Sequence, residues 1–239
     1  MASPALDDRL YARAQPISSS RDQLLPLIRP LATLFPGEGL QRGTVVAIRS
    51  ASLTGSVGSR PVGSRPVGSG GATTLAFALM VEASITGSWC AVVGDGDIGV
   101  LSLAEIGVDV ARVAIVPHPG SSWAEVVAVL VDGMDAVVVR LPGSARMGVT
   151  RRLVARVRDR RAVLIILSEQ GRWTEAPDVQ LVVHSSIWHG IGTGHGHLQG
   201  RCVEVVATGR RRATKPVHTE LWLPGPTGSV TGSASTGAS

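Results

Sequence analysis

Short runs of Val, Ile and Leu alternate with amphipathic stretches through the middle of this chain. The apolar runs lie at residues 44–48, 89–93, 113–116, 136–139 and 162–167. They are continuous rather than alternating, which is typical of strands buried on both faces. Helical patterns separate them at residues 72–83, 101–106, 121–131 and 149–160. This alternation predicts an α/β fold with a mostly parallel sheet flanked by helices.

The pattern changes near both ends. Residues 18–36 predict a short helical arm whose apolar side chains can cover a core edge or a neighbouring molecule. The candidate partner-binding residues of this arm are Leu24, Leu25, Ile28, Leu31, Leu34 and Phe35. Three later runs predict a closing antiparallel extension, at residues 180–184, 201–207 and 219–223. We therefore expect an N-terminal helical arm at 1–40, a core at 41–224 and a disordered Gly/Ser/Thr-rich tail at 225–239.

The composition gives the chain a net positive charge, and its apolar runs predict a cytoplasmic location. The chain has 23 basic and 18 acidic residues, and Lys215 is its single lysine, so the positive charge is almost all arginine. That bias suits phosphate or carboxylate partners, but a GC-rich genome would produce it as well. No apolar run approaches the roughly 20 residues that span a bilayer, and no signal peptide is visible. Cys90 and Cys202 lie in apolar runs, which predicts buried thiols.

The glycine-rich segment after the first core strand reads like the end of a Walker A motif without its lysine. The residues that would face a nucleotide are Gly68, Gly70, Gly71, Ala72, Thr73 and Thr74. Glycines let backbone N–H groups face phosphates, and a Ser/Thr hydroxyl serves magnesium, but Ala72 stands where the lysine belongs. Phosphoryl transfer depends on charge neutralisation, so we expect a degenerate site with no bound cofactor and no ATPase activity.

The acidic residues of such a site are also misplaced. The strand at residues 136–139 ends in Arg140, whereas a metal-binding aspartate is needed there, and Asp135 lies at the opposite end of the strand. After the strand at 89–93 the chain continues as Gly94-Asp95-Gly96-Asp97. Either aspartate can in principle activate water, but Asp-Gly chemistry is also typical of a turn.

An internal repeat lengthens the loop before the glycines. Val57-Gly58-Ser59-Arg60-Pro61 is repeated as Val62-Gly63-Ser64-Arg65-Pro66. Loops in α/β units usually have about two to six residues, so this one is not expected to be a rigid phosphate cradle. The repeat is either a neutral expansion or a working insertion, in which Arg60 and Arg65 reach a phosphate.

Two basic clusters are candidates for DNA binding. They comprise Arg151, Arg152, Arg156, Arg158, Arg160 and Arg161 on the last core helix, and Arg210, Arg211, Arg212 and Lys215 further on. Arginine contacts to phosphate give salt-sensitive binding that does not depend on DNA sequence. A solvated helix face explains the first cluster equally simply. Four histidines between 183 and 198 match no familiar zinc spacing, so we predict a glycine-rich hairpin and no metal site.

Taken in order, several segments resemble the ATPase core of RecA recombinases. They are residues 42–48, 71–76, 107–109, 123–125 and 135–139. The resemblance covers roughly residues 40–223 and implies a RecA-like P-loop-type core. Its departures, the altered Walker A and B positions and the basic run at 209–216 before Leu221-Trp222-Leu223-Pro224, resemble the mycobacterial ImuA-prime group.

That resemblance implies a role and partners that the residue pattern alone does not give. Members of the group are expected to be non-enzymatic accessory subunits of a damage-induced (SOS) mutasome that supports translesion synthesis. The implied partners are ImuB, an inactive relative of Y-family polymerases, and through it an error-prone replicative-type polymerase and a sliding clamp. DNA contact and self-association stay open, and a cytoplasmic, nucleoid-associated location would follow.

Two other functions remain possible from the residues. One is a DNA-stimulated ATPase in which Arg60, Arg65 or a neighbour's Lys215 replaces the missing lysine. The other is a DNA-binding recombination accessory protein that uses the arginines of the last core helix.

Overall fold

A computed structural model describes residues 23–35, 37–51, 70–96, 98–168, 172–191, 196–210 and 215–232. The strands are β1 Leu24–Pro26, β2 Gly39–Gln41, β3 Val45–Ser50, β4 Cys90–Val93, β5 Val113–Val116, β6 Ala136–Arg140, β7 Val163–Leu167, β8 Val179–Ile191, β9 Gly196–Gly209, β10 Val217–Trp222 and β11 Thr231–Gly232. The helices are α1 Arg29–Ala32, α2 Ala72–Ala78, α3 Val81–Ile85, α4 Val100–Ile106, α5 Trp123–Gly133 and α6 Met147–Arg160.

Within the described residues, one large sheet has the strand order β11-β10-β9-β8-β3-β7-β6-β4-β5. The strands from β5 to β8 run parallel, and β9, β10 and β11 continue the sheet antiparallel to their neighbours. The predicted α/β class with a mostly parallel sheet is therefore confirmed, as is the antiparallel extension. The predicted helix at 72–83 is two shorter helices, α2 and α3.

The sheet separates two hydrophobic cores. One face packs against α2, α3, α4 and the N-terminal segment, and its core contains Val46, Leu75 and Ile165. The opposite face, from β3 to β4, packs against α5 and α6. Burial of both faces explains why these strands read as continuous apolar runs.

The predicted helical arm is wrong in form, and its apolar side chains cover a core edge, one of the two roles predicted for them, which removes the buried ones as partner-binding candidates. Where the structure describes it, β1 and β2 pair antiparallel, and the helix between them has four residues. Leu25 and Leu31 are completely buried, Leu34 and Phe35 nearly so, and all four belong to the main core. Leu24 and Ile28 are half-buried. An apolar stripe looks the same whether it covers its own core or a partner, and here it covers its own. Residues 1–22 lie outside the described part.

The predicted disordered tail is wrong for its first eight residues, 225–232. Thr231 and Gly232 pair with Trp222 and Leu221 of β10. The side chain of Val230 is buried, which gives this otherwise polar stretch one apolar anchor. Residues 233–239 lie outside the described part. Among the helices that the structure describes, none has both the length and the apolar content needed to cross a bilayer.

Candidate functional site

Three parallel strands bring the candidate nucleotide residues together at one edge of the sheet. β3 leads towards the glycine segment and α2, β6 ends at Arg140, and β4 is followed by Asp95. Ligands of open α/β sheets bind beyond the carboxyl ends of the strands, so this edge is where a site is expected. Thr73 lies in the first turn of α2.

The guanidinium group of Arg140 joins these elements. Its Nη2 donates to Thr73 Oγ1 at 2.7 Å and to Asp95 Oδ2 at 2.9 Å. The Arg140 and Asp95 side chains are only 18% and 10% exposed. Because water is largely excluded, the ion pair is screened much less than a surface pair. It therefore fixes the ends of β4 and β6 against the first turn of α2.

Gly94 allows β4 and β6 to come this close at their carboxyl ends. Its φ is +78°, a conformation that glycine adopts without the steric cost of a side chain. A Cβ at this position would lie 2.5 Å from the carbonyl oxygen of Arg140. The glycine therefore lets the main chain pass Arg140 and place Asp95 beside its guanidinium.

Among the described residues, the donor set at this edge suits a magnesium–nucleotide complex poorly. Magnesium takes oxygen ligands, and Thr73 Oγ1 and Asp95 Oδ2 both accept from the Arg140 guanidinium. Arg140 brings a positive charge to the strand end where a metal site needs a carboxylate. Ala72 is completely buried, and its methyl side chain supplies no donor or charge for a phosphate.

A second arginine contacts α2 from the other side. Arg201 of β9 is 7% exposed; its Nη2 donates to Thr74 Oγ1 at 2.8 Å and its Nε to the Leu223 carbonyl at 2.7 Å. The guanidinium carbon lies 5.0 Å from the centre of the Trp188 ring, in cation–π geometry. Burial lowers the pKa of Arg201. The described residues provide these partners without a carboxylate at ion-pair distance.

The structure describes only some of the other residues that were predicted to face a nucleotide. Gly70, Gly71 and Ala72 are described at the start of α2, and Gly71 has a φ of +134°. Gly68, Arg60 and Arg65 lie outside the described residues, so their predicted roles stay predictions. Asp135 lies at the opposite end of β6, as predicted. There it accepts from Arg42 Nη1 at 2.6 Å and from the Trp89 backbone N–H at 2.9 Å.

The arginines of α6 lie on the surface and mostly face carboxylates. Arg156 forms a two-point pair with Asp132, which also accepts from Arg160 Nε at 3.1 Å. The hydrogen bond from Arg156 is the main reason that the pKa of Asp132 is lowered. Arg151 pairs with Glu175 at 2.9 Å, and Arg158 lies 3.5 Å from Asp178. Arg152 Nε donates to the Gly148 carbonyl, and Arg161 is exposed at the C-cap.

The other candidates are spread along the C-terminal extension. Arg210 and Lys215 are exposed near the ends of β9 and β10, and residues 211–214 lie outside the described part. The histidine-rich stretch belongs to the β8–β9 hairpin, as predicted, and the described residues contain no group suited to a metal ion. Trp188 lies in β8, with one side of its ring covered by Arg201.

Sequence reasoning missed Arg201, although a signal was present. Arg201 has the same strand parity as Val203, Val205 and Ala207, whose side chains all face the main core. An arginine at an inward-facing position is unusual because a buried charge needs specific partners. The period-two pattern could therefore have identified it.

Comparison with known proteins assigns the chain to a family. The model of the MT3502 N-terminal domain matches residues 54–175, about half of the chain. The chain belongs to the MT3502 family. It is 34% identical over 168 residues to the uncharacterized protein Rv3395c of Mycobacterium tuberculosis (strain ATCC 25618 / H37Rv), a match that covers 68% of this chain and 77% of that relative.

A solved structure of the RadB recombinase has the same fold. It matches with a TM-score of 0.56 and 14% sequence identity, covering 86% of this chain and 97% of the RadB chain. The RecA-like architecture of this MT3502 family member is therefore confirmed. At this level of identity the similarity concerns the fold alone.

Proposed function

We propose that this chain is a non-enzymatic RecA-like accessory subunit of a damage-induced mutasome that supports error-prone translesion synthesis. In this proposal it acts by protein–protein contact with an ImuB-type inactive Y-family polymerase, and through it with an error-prone polymerase and a sliding clamp. The RecA-like fold supports the proposal, together with the resemblance of its motifs to the ImuA-prime group.

The observation that carries the non-enzymatic part is the position of Arg140. Its guanidinium bonds Thr73, whose hydroxyl would serve magnesium in a working site, and Asp95, the carboxylate that could otherwise activate water. Phosphoryl transfer has little covalent chemistry for the protein to do, so catalysis depends on positioned cations and metal. With Ala72 in place of lysine and Arg140 in place of a metal-binding carboxylate, both electrostatic components are missing.

ATP turnover by the purified full chain tests this part. We expect magnesium-dependent hydrolysis to stay at background, with and without single-stranded DNA. Hydrolysis well above background that falls when Arg60, Arg65 and Lys215 are changed to alanine would contradict the proposal and support the DNA-stimulated ATPase.

Binding to an ImuB-type protein tests the mutasome part. The buried side chains of residues 24–35 are unsuitable for docking, so we propose residues 203–223 of the C-terminal extension as the docking region to test first. On β10, Val217→Asp at an exposed position and Thr219→Arg at a half-buried one should weaken capture of ImuB by the full chain, whereas Arg151→Ala on α6 should not. Failure of the unmodified chain to bind ImuB would contradict the proposed role.

A further inference from the structure

We propose that Arg140 and Arg201 are permanent substitutes for a metal and a nucleotide in holding the first turn of α2. In a ligand-dependent site of this kind, bound cations and phosphates would connect that turn to the surrounding strands. Here the connecting cations belong to the chain. The inference rests on the proposed absence of ATP use, and extends it to how the folded site is maintained.

The two arginines hold adjacent residues from two different strands. Arg140 comes from the end of β6 and bonds Thr73, and Arg201 comes from β9 and bonds Thr74. Each also has a second anchor that fixes its direction: Asp95 for Arg140 and the Leu223 carbonyl for Arg201. The first turn of α2 is thus connected to the ends of β4, β6 and β10 without any ligand.

The environment of Arg201 supports a structural role. Removing a guanidinium from water costs free energy, which is offset only by well-placed partners. Arg201 obtains these from two oxygen acceptors and the Trp188 ring, although the described residues offer it no carboxylate at ion-pair distance. A buried arginine with such directed contacts is costly to place and is strongly coupled to the elements it joins.

The consequence is that α2 should begin in the same way with or without nucleotide. Gly71, directly before the helix, packs beside Arg201: a Cβ there would lie 3.9 Å from the guanidinium carbon and 3.4 Å from side-chain atoms of Val183 and Val203. The turn is therefore enclosed by the chain itself on this side, and its position does not depend on an added ligand.

Thermal unfolding and amide hydrogen exchange of the full chain test the inference. In the unmodified chain, the backbone amides of residues 75–78 should be protected, and magnesium with ATP should change neither that protection nor the midpoint temperature. Arg140→Ala and Arg201→Ala should each lower the midpoint by roughly 4–10 °C and accelerate exchange in α2. Arg156→Ala, which removes a surface pair on α6, is the matched control and should have a much smaller effect.

A lysine variant keeps the test decisive if an alanine variant fails to fold. Arg201→Lys retains the charge, but a single ammonium nitrogen cannot reproduce bonds that come from both Nε and Nη2, so exchange in α2 should still accelerate. Increased protection of α2 by magnesium and ATP in the unmodified chain would overturn the inference, as would unchanged exchange in Arg201→Lys. ATP turnover is measured separately and tests the proposed function, so the two failures are distinguishable.

Discussion

The two arginine-bearing regions of this molecule differ in what their charges accomplish. At the carboxyl edge of the sheet, Arg140 and Arg201 are mostly buried and each makes directed bonds to oxygen atoms of other elements. On α6, the side chains of Arg151, Arg156 and Arg160 are 69%, 43% and 51% exposed, and they pair directly with carboxylates at the solvent-exposed surface. In the first region the arginines connect secondary-structure elements to each other, whereas in the second they form part of the solvent-exposed surface.

The contrast shows that arginine content alone does not indicate a nucleic-acid surface. Burial decides how strongly a charge is coupled to its surroundings, because salt and water screen exposed pairs much more than enclosed ones. The carboxylates of Asp132, Glu175 and Asp178 also offset part of the positive charge of α6. The α6 cluster therefore suits the solvated-face interpretation better than its sequence suggested.

The largest difference between the regions should appear in paired substitutions. A double-mutant cycle with Arg140→Ala and Asp95→Ala should give a coupling free energy of about 1.5–3 kcal/mol, because the hydrogen bond is charged and largely enclosed. The same cycle for Arg156 and Asp132 should give a smaller coupling that decreases with added salt. Chemical denaturation in low and high salt measures both. Equal couplings in the two cycles would remove the distinction between the regions.

A smaller effect is expected for DNA. Changing Arg151, Arg152 and Arg156 to alanine should alter the affinity for a DNA duplex only slightly, since two of these side chains already face carboxylates. Asp132→Asn should raise the affinity for the duplex, because it leaves Arg156 and Arg160 without their shared carboxylate and increases the local positive charge. Fluorescence anisotropy over a salt series measures both changes. A steep salt dependence that disappears in the triple variant would instead identify α6 as a DNA-binding surface.

The smallest expected effect is the contribution of Asp132 to the midpoint temperature of unfolding at acidic pH. The lowered pKa means that this carboxylate stabilises the folded chain above its unfolded pKa, and the contribution is lost as pH falls through the folded value. The difference in midpoint temperature between the unmodified chain and Asp132→Asn should therefore be greatest near neutral pH and shrink as pH decreases below the ordinary aspartate range. A difference that grows on acidification would mean that the pair does not stabilise the fold.

Much of the fold could be predicted because buried parallel strands have a simple signature. The runs that became β3, β4, β5, β6 and β7 are continuous in apolar residues. The rule that parallel strands end at one edge explains why Thr73, Asp95 and Arg140 lie together in the structure. The absence of a lysine at Ala72 was equally visible in the sequence. The partners of a side chain were not, because a hydrogen bond between Arg140 and Thr73 joins residues 67 positions apart.

The incorrect predictions for the N-terminal arm and the C-terminal tail share one cause. The surface against which such a segment packs depends on the tertiary fold and not on its local sequence. The apolar stripe around Leu31 could cover either its own core or another protein, and only the packed structure shows that it is buried. Likewise, the polar stretch after Gly225 has few apolar residues, yet pairing with β10 and burial of Val230 order its first part. Local composition carries no information about such long-range choices.

The closeness of Arg140 to Asp95 has a consequence for the history of this pocket. A single change of Arg140→Asp, the step that would begin to rebuild a metal-binding strand end, would put two carboxylates beside each other with no cation between them. The chain would lose a brace before it gained a metal. Building a metal-binding strand end here would therefore require several coordinated replacements, because a charge reversal at this one position removes the Arg140–Asp95 ion pair before a metal can bind.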